Sequence, residues 1–551
     1  INGIFQQRQQ DNKNLNFALQ AEGGLRVLSN IWIKLSVPTS PVKDQLNDII
    51  KSFILPELES TNEYQWLKTR ACECIAISIS SCNDLQLLSQ IYQNVLNCFN
   101  KTNPIPLRIE AADALRFLSS INEVSNEIKP KISIIVAELL ELSNEYEFDF
   151  INEIIEDFVS NFSKELEPFS IQLVTNLNQQ FLRIIEELLN IQNQNNDKQS
   201  PDEIEKEYRA SGILNTISTI ISSMNEKSTT TENLLKIVTP SIKLVLENGM
   251  GTFLIDIMDL LETVNFTMKK ITDESWDIFE IIINSMDYYD FVYFEDQTPY
   301  FESISTYGFK NIDIYTNVNF QKLLEKIFDI LNSFDSSETS ERLISTYQLL
   351  YNIILSVGAN ISPILSQILT PVLNIQRSLQ NDLELLDIYN DSLKSFLKIF
   401  ISCCYISPIE TISIIGESNF LNYLELWFNN SDKFLITVFD LKLQIMALIS
   451  LLSNIQSINC LINHTNNLLI KLLSIFEKYP NAIDRKLKLL KTGYIPSFDE
   501  NGDELDDIEF DEDELNESSK DTPLDNINVV NEFKQFFNKE QSNLMNHIPS
   551  D

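Results

Sequence analysis

The sequence predicts an all-α fold, an α-solenoid superhelix of stacked helical hairpins, and three observations carry that expectation. Glycine is scarce, 11 in 551 residues, about 2 % against a usual ~7 %, which argues against glycine-turned sheets and dinucleotide folds. Apolar residues recur at helical spacing as far as Lys491. The breaks between these stretches are short, and polar or proline-bearing. The chain is also longer than the ~250 to 300 residues at which a single core stops growing, so it forms several domains or one elongated array. With 44 % hydrophobic residues and 33 phenylalanines, it has the material for a continuous core.

Taken in chain order, the first clear stripe is Leu67, Ala71, Cys74, Ile75 and Ile79, and the next is Leu107, Ala111, Ala114, Leu115 and Leu118. A third runs through Ile213, Ile217, Ile220, Ile221 and Met224. Each has the i, i+4, i+7, i+8 pattern that lines one helix face. Prolines at Pro38, Pro41, Pro104, Pro106, Pro168, Pro240, Pro363, Pro408 and Pro480 are read as helix starts, because proline suits a first turn and not a helix interior. This places roughly twenty helices of about 15 to 22 residues before Lys491, one pair per ~40 to 47 residues. That is the period of HEAT and armadillo repeats, whose hairpins bury their apolar faces only by stacking. Residues 1–491 are therefore expected to form about ten hairpins, interrupted by a polar loop near 190–206. Residues 492–524 are expected to be an acidic disordered segment. Residues 525–551 should hold a short amphipathic helix from about Asn526 to Asn538. It presents Ile527, Val530, Phe533 and Phe537 on one face, to fold back on the array or to engage a partner.

The formal charge is −38, of which −24 lies in residues 1–498 and −2 in residues 520–551. The remaining twelve charges are Asp499, Glu500, Asp503, Glu504, Asp506, Asp507, Glu509, Asp511, Glu512, Asp513, Glu514 and Glu517, with no basic residue among them. An acidic surface of this kind repels phosphate backbones and attracts basic proteins, so direct nucleic-acid binding is not expected. Two readings of the run stay open: a solvated tail that aids solubility, or a flexible counter-charge for lysine- and arginine-rich cargo.

Chemistry finds little support. The two histidines, His464 and His547, sit in polar surroundings without a nucleophile signature. Cys72-x-Cys74 and Cys403-Cys404 lack a second ligand pair for zinc. No catalytic, metal or cofactor site is expected. The seven cysteines (Cys72, Cys74, Cys82, Cys98, Cys403, Cys404, Cys460) fall mostly in apolar helical pattern, as reduced thiols of a cytosolic or nuclear protein would. Leu393 to Ile406 and Ile445 to Leu452 are too short or too interrupted to cross a membrane. The aromatic cluster Tyr288, Tyr289, Phe291, Tyr293, Phe294, Tyr300 and Phe301 around Asp287 and Asp290 is read as core packing before a landing site, and Trp66 and Trp427 carry the same two readings. A first residue of Ile rather than Met leads us to expect a fragment lacking an N-terminal portion.

An ordered series of segments resembles a known family. Leu67-Lys-Thr-Arg70-Ala71-Cys72, Leu107-Arg-Ile-Glu110-Ala111-Ala112-Asp-Ala114-Leu115 and Gly212-Ile-Leu-Asn215-Thr216-Ile217 follow one another as in the C-terminal half of the importin-seven and importin-eight group of β-karyopherins. Asp287 to Tyr307, the acidic run, Asp521-Thr-Pro523-Leu-Asp525 and Phe533-Lys-Gln-Phe536 continue the match, and the richness in asparagine and isoleucine suits a yeast-type relative. The resemblance implies a nuclear transport receptor that loads basic cargo in the cytoplasm, crosses the nuclear pore on weak contacts with phenylalanine-glycine nucleoporins, and releases cargo when Ran-GTP binds. It places Ran contact mainly in N-terminal repeats expected to lie outside this chain, and the acidic insert here is shorter than in animal relatives. The rival reading is a static HEAT scaffold or adaptor, such as a phosphatase regulatory subunit or a coat component.

Overall fold

The computed structural model describes residues 2–60, 64–145, 149–192, 200–285, 294–310, 312–334, 340–382, 385–492 and 520–545. Among these residues helices account for nearly all regular structure, and no strand is present. The chain divides into two units, residues 1–268 and 269–551.

In the first unit, the helices Leu15–Ser36, Gln65–Ser78, Ile105–Ser119, Asp149–Asn161, Pro201–Ser222 and Leu254–Met268 pack each against the next in one layer. A second layer alternates with them in sequence and includes Leu85–Cys98, Ser170–Gln192 and Thr229–Glu247. In the second unit the continuous layer is Phe294–Gly308, Ser340–Val357, Leu386–Ile406, Val438–Ser453 and Thr465–Thr492. Its first three helices begin 46 residues apart. Val318–Ser333, Leu365–Asn381 and the pair Pro408–Ile415 and Glu417–Phe434 make the other layer. Stacked hairpins of this period are the HEAT-type solenoid that the sequence predicts.

The sequence stripes supply the cores. Every residue of the three stripes beginning at Leu67, Leu107 and Ile213 is buried. Leu386–Ile406 and Val438–Ser453 are buried around most of their circumference because each has neighbours on both sides in its layer and others behind. Inside this layer Lys398 donates to Asp440 at 3.0 Å with both side chains almost fully buried. The same ammonium sits 5.4 Å from the Tyr351 ring and 5.2 Å from that of Phe439, so three successive helices share one charge pair. The apolar stretch Ser340–Asn381 is long enough to span a membrane by length and composition, but half of its most apolar 18-residue window is buried in this packing. It comprises two helices joined by the 3-10 segment Gly358–Ile364.

Several expectations need correction. Pro106, Pro168, Pro363 and Pro408 do lie at or just before helix starts, but Pro240 is inside Thr229–Glu247 and Pro480 is inside the 28-residue helix Thr465–Thr492. Proline costs one backbone hydrogen bond there. Buried residues on both sides of Pro240 hold the helix together, Leu234, Leu235 and Val238 before it and Ile242 and Val245 after, while the Thr239 hydroxyl donates to the Leu235 carbonyl at 2.8 Å. Of the loop expected at 190–206, Asn190–Gln192 end one helix and Pro201–Lys206 begin another. Ser200 starts that helix early by forming a capping box with Glu203, with Pro201 at the first position. Residues 193–199 lie outside the described residues.

Candidate functional site

Two arrangements of side chains stand out, a groove in the first unit and a tied-down segment of chain in the second. In the first unit, Leu15–Ser36, Gln65–Ser78 and Ile105–Ser119 present their polar faces side by side, leaving a groove of about 480 Å³. Its apolar wall is Leu19, Trp66, Pro104 and Pro106, and Leu19 and Trp66 are exposed. Its charged wall is Glu22, Glu73 and Glu110 with Arg26 and Arg70. Arg70 donates to Glu22 at 2.9 Å and also to Glu73, and Arg26 pairs with Glu22 at 3.1 Å. Burial pushes the Glu110 carboxyl up to about 7, with Glu73 and Asp113 adding repulsion and Arg70 opposing them. A cation from a partner would meet there a carboxyl short of positive charge beside an open aromatic ring.

In the second unit the end of the chain is tied down. Asp521 accepts from Lys269 at 2.5 Å and from the Tyr307 hydroxyl at 2.6 Å, and Lys520 lies 3.7 Å from Glu302. Leu524 is buried, and Lys442 donates to the Leu524 and Asp525 carbonyls at 3.1 Å each. The turn between them is closed by Asp525, whose carboxylate accepts from the Thr522 amide at 2.7 Å and from its hydroxyl at 2.8 Å. Tyr307 is positioned by the close approach after it: a Cβ on Gly308 would stand 2.7 Å from the Trp276 indole, so only glycine lets that ring pack there. The helix Val529–Met545 then lies on Val438–Ser453, with Val529 and Phe536 buried and the Phe533 ring 5.0 Å from that of Phe476.

The residues expected to face partners are distributed unevenly over this geometry. All twelve acidic candidates, Asp499 through Glu517, lie outside the described residues. The described residues resume at Lys520, which begins the tied segment, and end before the run at Thr492, the last residue of a packed helix. Residues 520–524, expected to be part of the disordered stretch, are ordered by Lys269, Tyr307 and Lys442. The terminal helix begins at Val529 rather than near Asn526, so Ile527 precedes it; Val529 and Phe536 are its buried residues, and Phe533, half-buried, packs on Phe476. Val530 and Phe537 point to solvent, each 42 % exposed. Phe294, Tyr300 and Phe301 are buried in the core, while Asp287, Tyr288, Tyr289, Asp290, Phe291 and Tyr293 lie outside the described residues. Trp427 is fully buried and donates to Gln444 at 2.9 Å. Six of the seven cysteines are buried, and all seven are free thiols. The groove of the first unit was not singled out by sequence reasoning, although Arg70 and Glu110 both belong to the segments that carry the family resemblance.

No protein-family model matches the chain. It is 26 % identical over 498 residues to Nonsense-mediated mRNA decay protein 5 of Saccharomyces cerevisiae, covering 87 % of this chain and 46 % of that protein. It is 22 % identical over 457 residues to a probable importin-7 homolog of Dictyostelium discoideum, covering 81 % and 40 %. With importin-8 of Homo sapiens it shares 25 % identity over 327 residues, 58 % of this chain and 29 % of that one. The chain thus spans less than half the length of these curated relatives. Among solved structures, the exportin Cse1 in its cargo-free, cytoplasmic state covers 100 % of the chain with 55 % of its own length, at a TM-score of 0.62 and 13 % identity. Lph2 of S. cerevisiae, a bidirectional nuclear transport receptor, covers 98 % with 56 % of its length, at 0.54 and 12 %. At these identities the two structures speak to the fold alone, a helical-hairpin solenoid. Two of these relatives are named as importins.

Proposed function

The chain is related to the importin-β-like karyopherins of the importin-7 and importin-8 group, and from that premise we propose that it is part of a nuclear transport receptor carrying basic protein cargo into the nucleus in a cycle governed by Ran-GTP. The observation that carries this reading is the alignment of 81 % of the chain with a probable importin-7 homolog, together with repeated alignment to importin-8. The groove of the first unit supports the cargo class, since exposed Trp66 and Leu19 beside Glu22, Glu73 and Glu110 suit the aliphatic stem and charged head of lysine or arginine. The acidic residues Asp499 to Glu517 add a second, less specific attraction for the same cargo.

In this reading Ran-GTP acts mainly through N-terminal repeats of the whole receptor, and phenylalanine-glycine nucleoporins make the weak contacts that carry it through the pore. The receptor then shuttles between cytoplasm and nucleus by way of the nuclear envelope, with neither direct nucleic-acid nor membrane binding. A stacked-hairpin fold lets two ligands compete without overlapping, because each small interface yields a little. The test is capture of a lysine-rich import cargo by the full-length protein with and without Ran-GTP, alongside retention on immobilised phenylalanine-glycine repeats. Release by Ran-GTP together with retention supports the reading. Cargo held equally in both states, with passage through the repeat column, would favour a static scaffold.

A further inference from the structure

We propose that Thr522 is a phosphorylation site for a proline-directed protein kinase, and that its phosphate unties residues 520–525 from the second unit and so loosens the terminal helix that follows. Four threonines in the chain are followed by proline. Thr239 and Thr298 are buried inside helices, and Thr370 lies within a third. Thr522 alone of the four sits in a turn, half-exposed, with its hydroxyl on the accessible side. That is the kind of backbone a kinase cleft can take up in extended form.

The local chemistry sets the direction of the effect. The Thr522 hydroxyl donates at 2.8 Å to the Asp525 carboxylate, whose other oxygen accepts the Thr522 amide at 2.7 Å. In the transfer, the Thr522 Oγ1 to phosphorus bond forms as the bond from the γ-phosphorus of ATP to its bridging oxygen breaks; ADP leaves, and the hydroxyl proton passes to the kinase's base. The product carries about −1.5 to −2 charges at neutral pH and has no proton to offer Asp525. A phosphate thus stands against a carboxylate at former hydrogen-bond distance, with Asp521 next in sequence. The neighbouring cations are already engaged, Lys269 with Asp521, Lys442 with two carbonyls and with the charge of Asp525, and Lys520 beside Glu302. Like-charge repulsion therefore dominates, Asp525 swings away, and the turn that aims Leu524 and the Asp521 carboxylate at their seats is lost. The terminal helix retains Val529, Phe533 and Phe536 as its remaining hold.

The test treats the full chain with a proline-directed kinase and Mg-ATP, locates phosphate by mass spectrometry, and follows amide hydrogen exchange in residues 529–545. The expected result is phosphate on Thr522 and exchange there faster by about tenfold or more. Thr522→Ala should resist the kinase and keep slow exchange. Phe536→Asp, which releases the helix without phosphate, calibrates the fast limit. The proposal is overturned if the kinase modifies a synthetic peptide of residues 517–529 but leaves Thr522 untouched in the folded chain. It is equally overturned if the phosphorylated chain exchanges at the unmodified rate or more slowly, since the phosphate would then have found the lysines instead.

Discussion

Burial raises the Glu110 carboxyl to about 7, with repulsion from Glu73 and Asp113 behind it. An unfolded glutamate titrates near ~4.3, so between that value and about 7 the folded state holds the proton more tightly. The resulting stabilisation is complete below the unfolded value and is lost as pH rises through the folded one. Glu110→Gln removes this dependence while keeping the shape. We expect the urea midpoint of the native protein to fall between pH 5 and pH 7.5, and that of the variant to fall less; equal slopes would show that Glu110 does not carry the effect. The group is only partly buried, so solvent screening keeps the change modest. Such a residue is not visible in the sequence, because what perturbs it comes from helices about 40 residues apart. The Lys398–Asp440 pair was hidden for the same reason. Leu67, Leu107 and Ile213, by contrast, were legible as core because local periodicity alone decides which way they face.

At the scale of elements, the terminal helix separates what spacing can settle from what it cannot. Two apolar stripes meet at Phe533, one through Val530 and Phe537, the other through Val529 and Phe536. Both satisfy helical spacing, so sequence alone could not choose between them. The choice falls to the tie upstream, where Lys442 and the seat of Leu524 fix where the helix begins and hence how it is rotated. Phe536→Asp should therefore free the helix to early proteolysis, whereas Phe537→Asp should leave its protection unchanged. Cleavage rates that rise equally in both variants would restore the other face. Ser200 and Pro240 teach the same lesson about boundaries: a capping box extends one helix into a polar stretch, and packing on both flanks carries another through a proline.

For the whole molecule the ruling quantity is charge. With −38 in total and twelve carboxylates between Asp499 and Glu517, long-range attraction for basic partners should be strong at low salt and fade as the Debye length shrinks. Deleting residues 499–517 should weaken capture of a lysine-rich protein several-fold at ~10 mM salt, where screening reaches ~30 Å, and much less at ~150 mM. Unchanged affinity at low salt would leave the run a solvating segment only. The fold class was legible at this scale because glycine scarcity and helical period extend over most of the chain. The order of residues 520–525 was not, since it depends on Lys269 and Tyr307, more than 200 positions away.

That long-range tie gives the acidic stretch two fixed ends on one unit instead of one. A protease cutting once anywhere between Lys491 and Lys520 would sever the backbone without shedding the C-terminal piece, which would stay seated through Asp521, Leu524 and Phe536 as a small non-covalent subunit. The nicked protein would therefore migrate as one species under native conditions and as two once unfolded.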